Sequence, residues 1–343
     1  MKKACLIVFL LPFFFLLFSK PILANCQMLS PNLADFLACT SQAPGGTTVS
    51  WLYNLSSAEY QEMKKIIDYN NSLPSNQRYN FDVRLFVGGG TLPSNAQVDA
   101  FLADLLTLNS STKINGRLVN EPNNLVNEGF LNTYGYQPEV IAGRVFEIYE
   151  HANATLQALQ SGDRLSLGIA LDHWSYTSAT VGTVSAKDFL NMMNSAAGTN
   201  VVDKLAQWDV IWMINAYIDV NNPTKIGQFR IGQLREDLKN ILGVPEGMRI
   251  AVFEIGAIKD GRVTYDVATL ALLFTQTSVL QDLKTAGVEW FTIFIQSPEG
   301  QPYSFFNLPL SVLEAFANFY TGKDPFLIGK LTEDEFQQLL ALI

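Results

Sequence analysis

Beyond residue 46 the chain alternates between short apolar runs and longer amphipathic stretches. The apolar runs cover Thr48–Tyr53, Phe81–Val87, Gly116–Asn120, Leu165–Leu171, Trp208–Asn215, Arg249–Glu254 and Val288–Ile295. They are rich in Val, Ile and aromatic residues and nearly continuous in apolar character, as parallel strands covered on both faces require. Between them, apolar positions recur at helical spacing over Ser57–Asn70, Ser94–Leu108, Pro138–Gln160, Ala186–Ala206, Ile226–Leu242 and Val267–Ala286. The punctuation agrees with this reading. Ser56-Ser57-Ala58-Glu59 resembles a capping box, and Pro138 stands where a helix tolerates proline. Gly162, Gly243 and Gly287 follow three of the helices, where a left-handed cap is wanted.

Strand–helix alternation without a low-complexity linker predicts one α/β domain with a parallel sheet, and the length suits a (β/α)8 TIM barrel. Seven strands are legible. The eighth must come from Asn25 to Gly46, around Cys26–Leu29 or Phe36–Thr40. An open doubly wound sheet would carry a glycine-rich phosphate turn. Gly88-Gly89-Gly90 lacks the G-x-G-x-x-G spacing and reads as a flexible strand-to-helix loop. The expected organisation is a signal peptide at 1–24, an N-terminal segment at 25–46, a barrel at 47–325 and a helical tail at 326–343. Leu331–Ile343 forms that tail, with Glu333, Asp334 and Glu335 in its first turn.

The first residues place the protein outside the cytoplasm. Lys2 and Lys3 precede an apolar run over residues 5–18, Lys20 and Pro21 break it, and Ala24 offers a cleavage point. The run is short for a membrane span, so no stable insertion is expected once it is removed. A secreted or periplasmic location follows. Leu23-Ala24-Asn25-Cys26 is similar to a lipoprotein signal, but Asn25 stands where Gly or Ala belongs. After cleavage Cys26 and Cys39 are left, either as a disulfide suited to an oxidising compartment or as two buried thiols. The formal net charge of −9, without any Lys/Arg cluster, argues against a nucleic-acid partner and suits a neutral substrate.

Two glutamates end strands: Glu121 in Arg117-Leu-Val-Asn-Glu-Pro122, and Glu254 in Ile250-Ala-Val-Phe-Glu-Ile-Gly256. Counting back from Val288–Ile295 as the eighth strand puts Glu254 on the seventh and Glu121 on the fourth. The carboxyl ends of barrel strands are where active sites assemble. Asn120-Glu121-Pro122 resembles the Asn-Glu-Pro signature at the end of strand 4 in clan A retaining glycoside hydrolases, among them families 5 and 39. That resemblance covers about residues 47–320. It implies cleavage of O-glycosidic bonds in a poly- or oligosaccharide by double displacement, with Glu121 as acid/base and Glu254 as nucleophile. The chemistry needs a proton for the leaving oxygen and a carboxylate facing the anomeric carbon, the two about 5–5.5 Å apart. Glu121 would need a raised pKa, supplied in part by the negative Glu254.

The same resemblance assigns Asn120 to the sugar 2-hydroxyl and Tyr217, after Asn215, to the nucleophile. Arg84 would orient Glu254, although the family arginine lies on strand 2 and the count here suggests strand 3. His173, Trp174, Asn215 and Gln296 are further sugar-binding candidates, and Trp51 and Tyr53 weaker ones. The family often carries a Trp at the end of strand 8. Here Gln296-Ser297 stands at that end, and Trp290 lies at the strand's beginning. No cofactor or metal is implied: the two histidines, His151 and His173, form no HExxH pattern, and no G-x-S-x-G elbow occurs. The alternatives are a carbohydrate-binding pseudoenzyme and a host- or envelope-interaction protein on the same scaffold.

Overall fold

In a computed structural model, the described residues are 26–28, 30–40, 48–108, 113–126, 128–159, 165–172, 183–260, 262–264 and 279–293. At some of these, including Cys26, Cys39 and Glu254, the backbone alone is described. The first barrel strand is β1 (Cys26–Met28), which pairs in parallel with β2 (Thr48–Tyr53). Of the two stretches considered for this strand, Phe36–Thr40 lies instead in helix α1 (Leu33–Thr40). Parallel ladders then run through β3 (Asn80–Leu85), β4 (Ile114–Asn120), β5 (Leu165–Leu171) and β6 (Ile211–Asp219). A small hairpin follows, β7 (Lys225–Ile226) with β8 (Phe229–Arg230). The seventh barrel strand is β9 (Ile250–Lys259), which β10 (Arg262–Thr264) edges in antiparallel fashion, and the eighth is β11 (Val288–Ile293). β11 brings Cα atoms within 8 Å of both β1 and β2, so the sheet curls back on its own beginning. The architecture is a (β/α)8 barrel, with Glu121 at the carboxyl end of the fourth strand and Glu254 within the seventh.

Strand alternation sorts the side chains into two layers. Val49, Trp51 and Tyr53 face outwards and are sealed under the helices. Trp51 packs on Phe81 at 5.0 Å between ring centroids, and Tyr53 donates its hydroxyl to Asp104 of α3 (Asn95–Leu108). Both aromatics, expected as weaker sugar-binding candidates, are instead sealed in this outer layer. Burial pushes the Tyr53 phenol far up, and the Asp104 bond adds to the effect. Inside the barrel, Ala170, Ile211, Met213, Ala251 and Phe253 form an apolar cluster. Gly168 is small because Met213 lies over it: a Cβ there would sit 2.0 Å from the Met213 methyl.

Helix α2 (Ser57–Ser72) starts on Ser56, whose side chain accepts from the Glu59 N–H at 3.3 Å. Glu59 reaches back to the N–H of Asn54, not to that of Ser56 as a reciprocal capping box would. Helix α5 (Pro138–Ala158) begins on its proline, after the single turn α4 (Phe130–Tyr134). Three expectations are corrected. The stretch read as one helix over Ala186–Ala206 is two, α6 (Ala186–Ala197) and α7 (Val201–Gln207). Gly198 closes the first in a left-handed conformation, and the Asn200 side chain caps the second. The stretch Ile226–Leu242 opens as the β7–β8 hairpin, then runs through a 3-10 turn, α8 (Leu234–Asp237) and a π turn ended by left-handed Gly243. The strand placed at Trp208 begins only at Ile211, because Trp208 closes α7, and it runs on to Asp219. The last described helix is α9 (Val279–Thr285), followed by left-handed Gly287. Residues 1–24, Gly162 and Leu331–Ile343 lie outside the described residues. No helix among the described residues is long and apolar enough to cross a membrane.

Candidate active site

β4 ends at Asn120, and Glu121 turns the chain with a φ of 37°, unusual for a residue with a Cβ. Two backbone bonds hold it there. Its N–H donates to Ala170 O at 3.0 Å, and its carbonyl accepts from the Asn124 N–H at 2.8 Å. Such a conformation costs on the order of 1–3 kcal/mol and persists where the surroundings over-determine it. Here they do. Asn123, fully buried, donates to the carbonyls of Asp172 and Val184 and accepts from the Asp172 N–H. The Glu-Pro-Asn-Asn turn is thereby stitched to the end of β5.

The turn delivers the Glu121 side chain, which is largely buried, to the strand-6 residue Asn215. Nδ2 of Asn215 donates to Glu121 Oε1 at 2.6 Å and to Asp172 Oδ1 at 3.1 Å. The other Asp172 oxygen accepts from Asn124 Nδ2 at 2.8 Å. Side chains from the ends of β4 and β5 therefore converge on one amide nitrogen of β6. Asn215 is also the parallel register partner of Glu254, after a β-bulge that admits Phe253 as an extra residue. The next inward pair in that register is Tyr217 with Gly256. The Tyr217 ring fills the space a Cβ on Gly256 would need, with Cε1 2.7 Å from it.

A polar chain runs beneath. Arg117 is buried and grips Asp82 of β3 through Nη2 at 2.9 Å and Nε at 3.2 Å. Asp82 also accepts from Ser50 of β2. Burial pushes the Asp82 carboxyl up, and the charge of Arg117 opposes it. Arg117 also lies over the Phe253 ring at 5.2 Å and donates to Asn120 Oδ1 at 3.0 Å. Asn120 Nδ2 donates to Glu128 Oε1, and Arg84 to Glu128 Oε2, both at 2.8 Å. Burial lowers the Arg84 guanidinium from its ordinary value, with the charges of Glu128 and Glu121 opposing.

The structure thus brings Glu121, Asn120, Arg84, Asn215 and Tyr217 to the carboxyl ends of neighbouring strands and places the Glu254 backbone in register with Asn215. Arg84 stands on the third strand, and the partner that its bond reaches is Glu128. His173, Trp174 and Gln296 lie outside the described residues. His151 sits elsewhere, on α5, bonded to Asp99 of α3. Among the described residues no cluster of His, Cys, Asp and Glu is arranged to hold a metal. The sequence reading passed over Asp172, Asn123, Asn124, Glu128 and Arg117. A signal existed for two of them: Asp172 is an acid at the end of an apolar strand, and Arg117 is a charge inside one.

These features define a (β/α)8 barrel with a carboxylate-rich polar site at the carboxyl ends of its strands. No protein-family model and no curated protein sequence matches the chain. Among solved structures it is similar to the catalytic domain of a GH26 endo-β-1,4-mannanase from Bacillus sp. JAMB-750, at 13% identity and a TM-score of 0.50, over 90% of this chain and 87% of that one. A psychrophilic GH10 endo-β-1,4-xylanase is similar at 11% identity and a TM-score of 0.49, over 87% of this chain and 97% of that one. A β-mannanase from Thermomonospora fusca follows at 12% identity and 0.48, over 91% and 92%. At these identities the likeness is one of fold, and the resemblance to clan A glycoside hydrolases holds at that level.

Proposed function

We propose that the protein is an exported retaining glycoside hydrolase that cleaves a β-linked poly- or oligosaccharide. The observation that supports it most is the pairing of strand ends. Glu121 on the fourth strand is bonded to Asn215 on the sixth, and Asn215 is in register with Glu254 on the seventh. In the proposed mechanism Glu121 protonates the glycosidic oxygen as the bond to the anomeric carbon breaks, and Glu254 attacks that carbon to form a glycosyl-enzyme. Water, deprotonated by Glu121, then releases Glu254. Arg84, Arg117, Asn120 and Glu128 give the acid a fixed, charge-balanced bed. The similar GH26 endo-β-1,4-mannanase suggests a neutral β-1,4-linked backbone, which suits the net charge of −9.

The test is turnover of mannan, xylan and β-glucan by the mature protein, with Glu121→Gln and Glu254→Gln alongside. Release of reducing ends by the wild type, lost in Glu254→Gln, supports the reading. Glycan binding without turnover, unchanged in Glu254→Gln, favours a pseudoenzyme and overturns it. The export proposal, with a Cys26–Cys39 disulfide, predicts a mature N-terminus near Asn25 and no free thiol by mass spectrometry.

A further inference from the structure

The amide of Asn215 is held between two acids. Each hydrogen of Nδ2 has its own acceptor, Glu121 Oε1 at 2.6 Å and Asp172 Oδ1 at 3.1 Å. Asp172 is itself fixed. Its second oxygen accepts from Asn124, and its backbone N–H donates to Asn123 Oδ1. All three side chains are buried or nearly so. An asparagine amide can present either its oxygen or its nitrogen to a neighbour, and only the partners decide. Both Asp172 oxygens act as acceptors, so the Asn215 atom that faces them must be the nitrogen. The same nitrogen then faces Glu121.

Resting on the glycosidase reading above, we infer that Asp172 is a positioning residue which, through Asn215, fixes which oxygen of Glu121 carries the transferable proton. Glu121 Oε1 takes the amide hydrogen bond and behaves as the carbonyl oxygen of the acid. The proton then resides on Oε2. In the first step it passes from Oε2 to the glycosidic oxygen as the electrons of the breaking C–O bond move onto that oxygen, while a Glu254 oxygen bonds to the anomeric carbon. Loss of Asp172 removes the acceptor that requires the Asn215 nitrogen on this side, so the amide can turn its oxygen towards Glu121. The proton would then be drawn to Oε1, into a bond with Asn215 and away from the leaving group. Asp172 touches no reacting atom in this scheme.

Leaving-group dependence separates this role from a merely structural one. A 2,4-dinitrophenyl glycoside departs without help from an acid, whereas an unactivated oligosaccharide needs it. The probes are the 2,4-dinitrophenyl β-glycoside and the matching oligosaccharide of whichever of mannobiose, xylobiose and cellobiose the wild type cleaves. For Asp172→Asn and Asp172→Ala, kcat/KM on the oligosaccharide is expected to fall roughly 10- to 100-fold, part of the 10²–10⁴ that a general acid supplies. On the dinitrophenyl substrate it should change less than about threefold, because no acid is required. Asn215→Ala should reproduce the pattern. Equal losses on both substrates, or no loss on either, overturn the inference. If the wild type cleaves neither, the glycosidase reading has failed first and the inference falls with it.

Discussion

Arg117 and Asp82 form a two-pronged ion pair inside the barrel, at 2.9 and 3.2 Å, beneath the turn that carries Glu121. Both are nearly inaccessible to water. The pair joins three strands, because Asp82 also takes a bond from Ser50, and Arg117 passes one on to Asn120.

Breaking this pair from one side leaves a charge in the interior. Arg117→Met is expected to lose about 3–5 kcal/mol, the usual cost of stranding one buried partner. Replacing both, as Arg117→Met with Asp82→Leu, should recover most of that loss. Urea denaturation of the single and double variants measures it. A single variant as stable as the wild type would mean that the pair does not hold the strands together.

Gly256 has no room for a side chain, because the Tyr217 ring lies 2.7 and 2.8 Å from where its Cβ would be. The contact is with a ring on a buried strand, so it yields only if Tyr217 rotates. Gly256→Ala is expected to lower stability by about 1–3 kcal/mol, the cost of overpacking. It should also depress kcat/KM, since Gly256 stands two residues beyond Glu254 on the same strand. Thermal melts and steady-state kinetics check both. Wild-type values for each would show that the ring is free to move.

How much of this was visible beforehand depends on which force shaped each segment. The barrel strands were legible because strands buried on both faces must be apolar, and β2 and β5 match the expected limits residue for residue. The segment after β6 was misread because Ile226, Phe229, Ile231, Leu234 and Leu238 sit near helical spacing, yet their burial is satisfied by a hairpin first. Gly227, at φ 55°, permits that tight turn and was the overlooked sign. The position of Glu121 at the end of the fourth strand was legible from its motif. Asp172 was harder to read, because its role comes from contacts with Asn124 and Asn215, 48 and 43 residues away, which spacing does not encode.

The Gly88-Gly89-Gly90 loop is more constrained than its composition suggests. A Cβ on Gly90 would lie 2.3 Å from the carbonyl oxygen of Gly129, and its φ is 73°. Gly135 has a similar φ of 65° but open space around it. Gly90→Ala should therefore destabilise by clearly more than Gly135→Ala, for which about 1 kcal/mol from backbone conformation is expected. Paired denaturation curves decide it. Equal losses would show that the loop after β4 moves aside without cost.

Acid should weaken the hairpin region. Asp237 on α8 accepts from the Arg230 backbone N–H at 2.7 Å and from Nε at 3.0 Å. The Arg230 side-chain bonds hold its carboxyl below the ordinary value, against the opposing effect of burial. A carboxylate lowered by folding binds fewer protons in the native than in the unfolded state over the window between the two pKa values. Stability then rises with pH across that window. The contribution is therefore complete above the unfolded Asp value of about 3.9 and is lost as the pH falls through the lowered native value. In Asp237→Asn the contribution is absent at every pH. Melting temperatures of the two proteins should differ most at neutral pH and converge only in acid below the lowered native value, where the wild-type carboxyl is protonated in both states. A constant gap down to strong acid would mean that the side chain stabilises β8 and α8 through its shape alone and not through its charge.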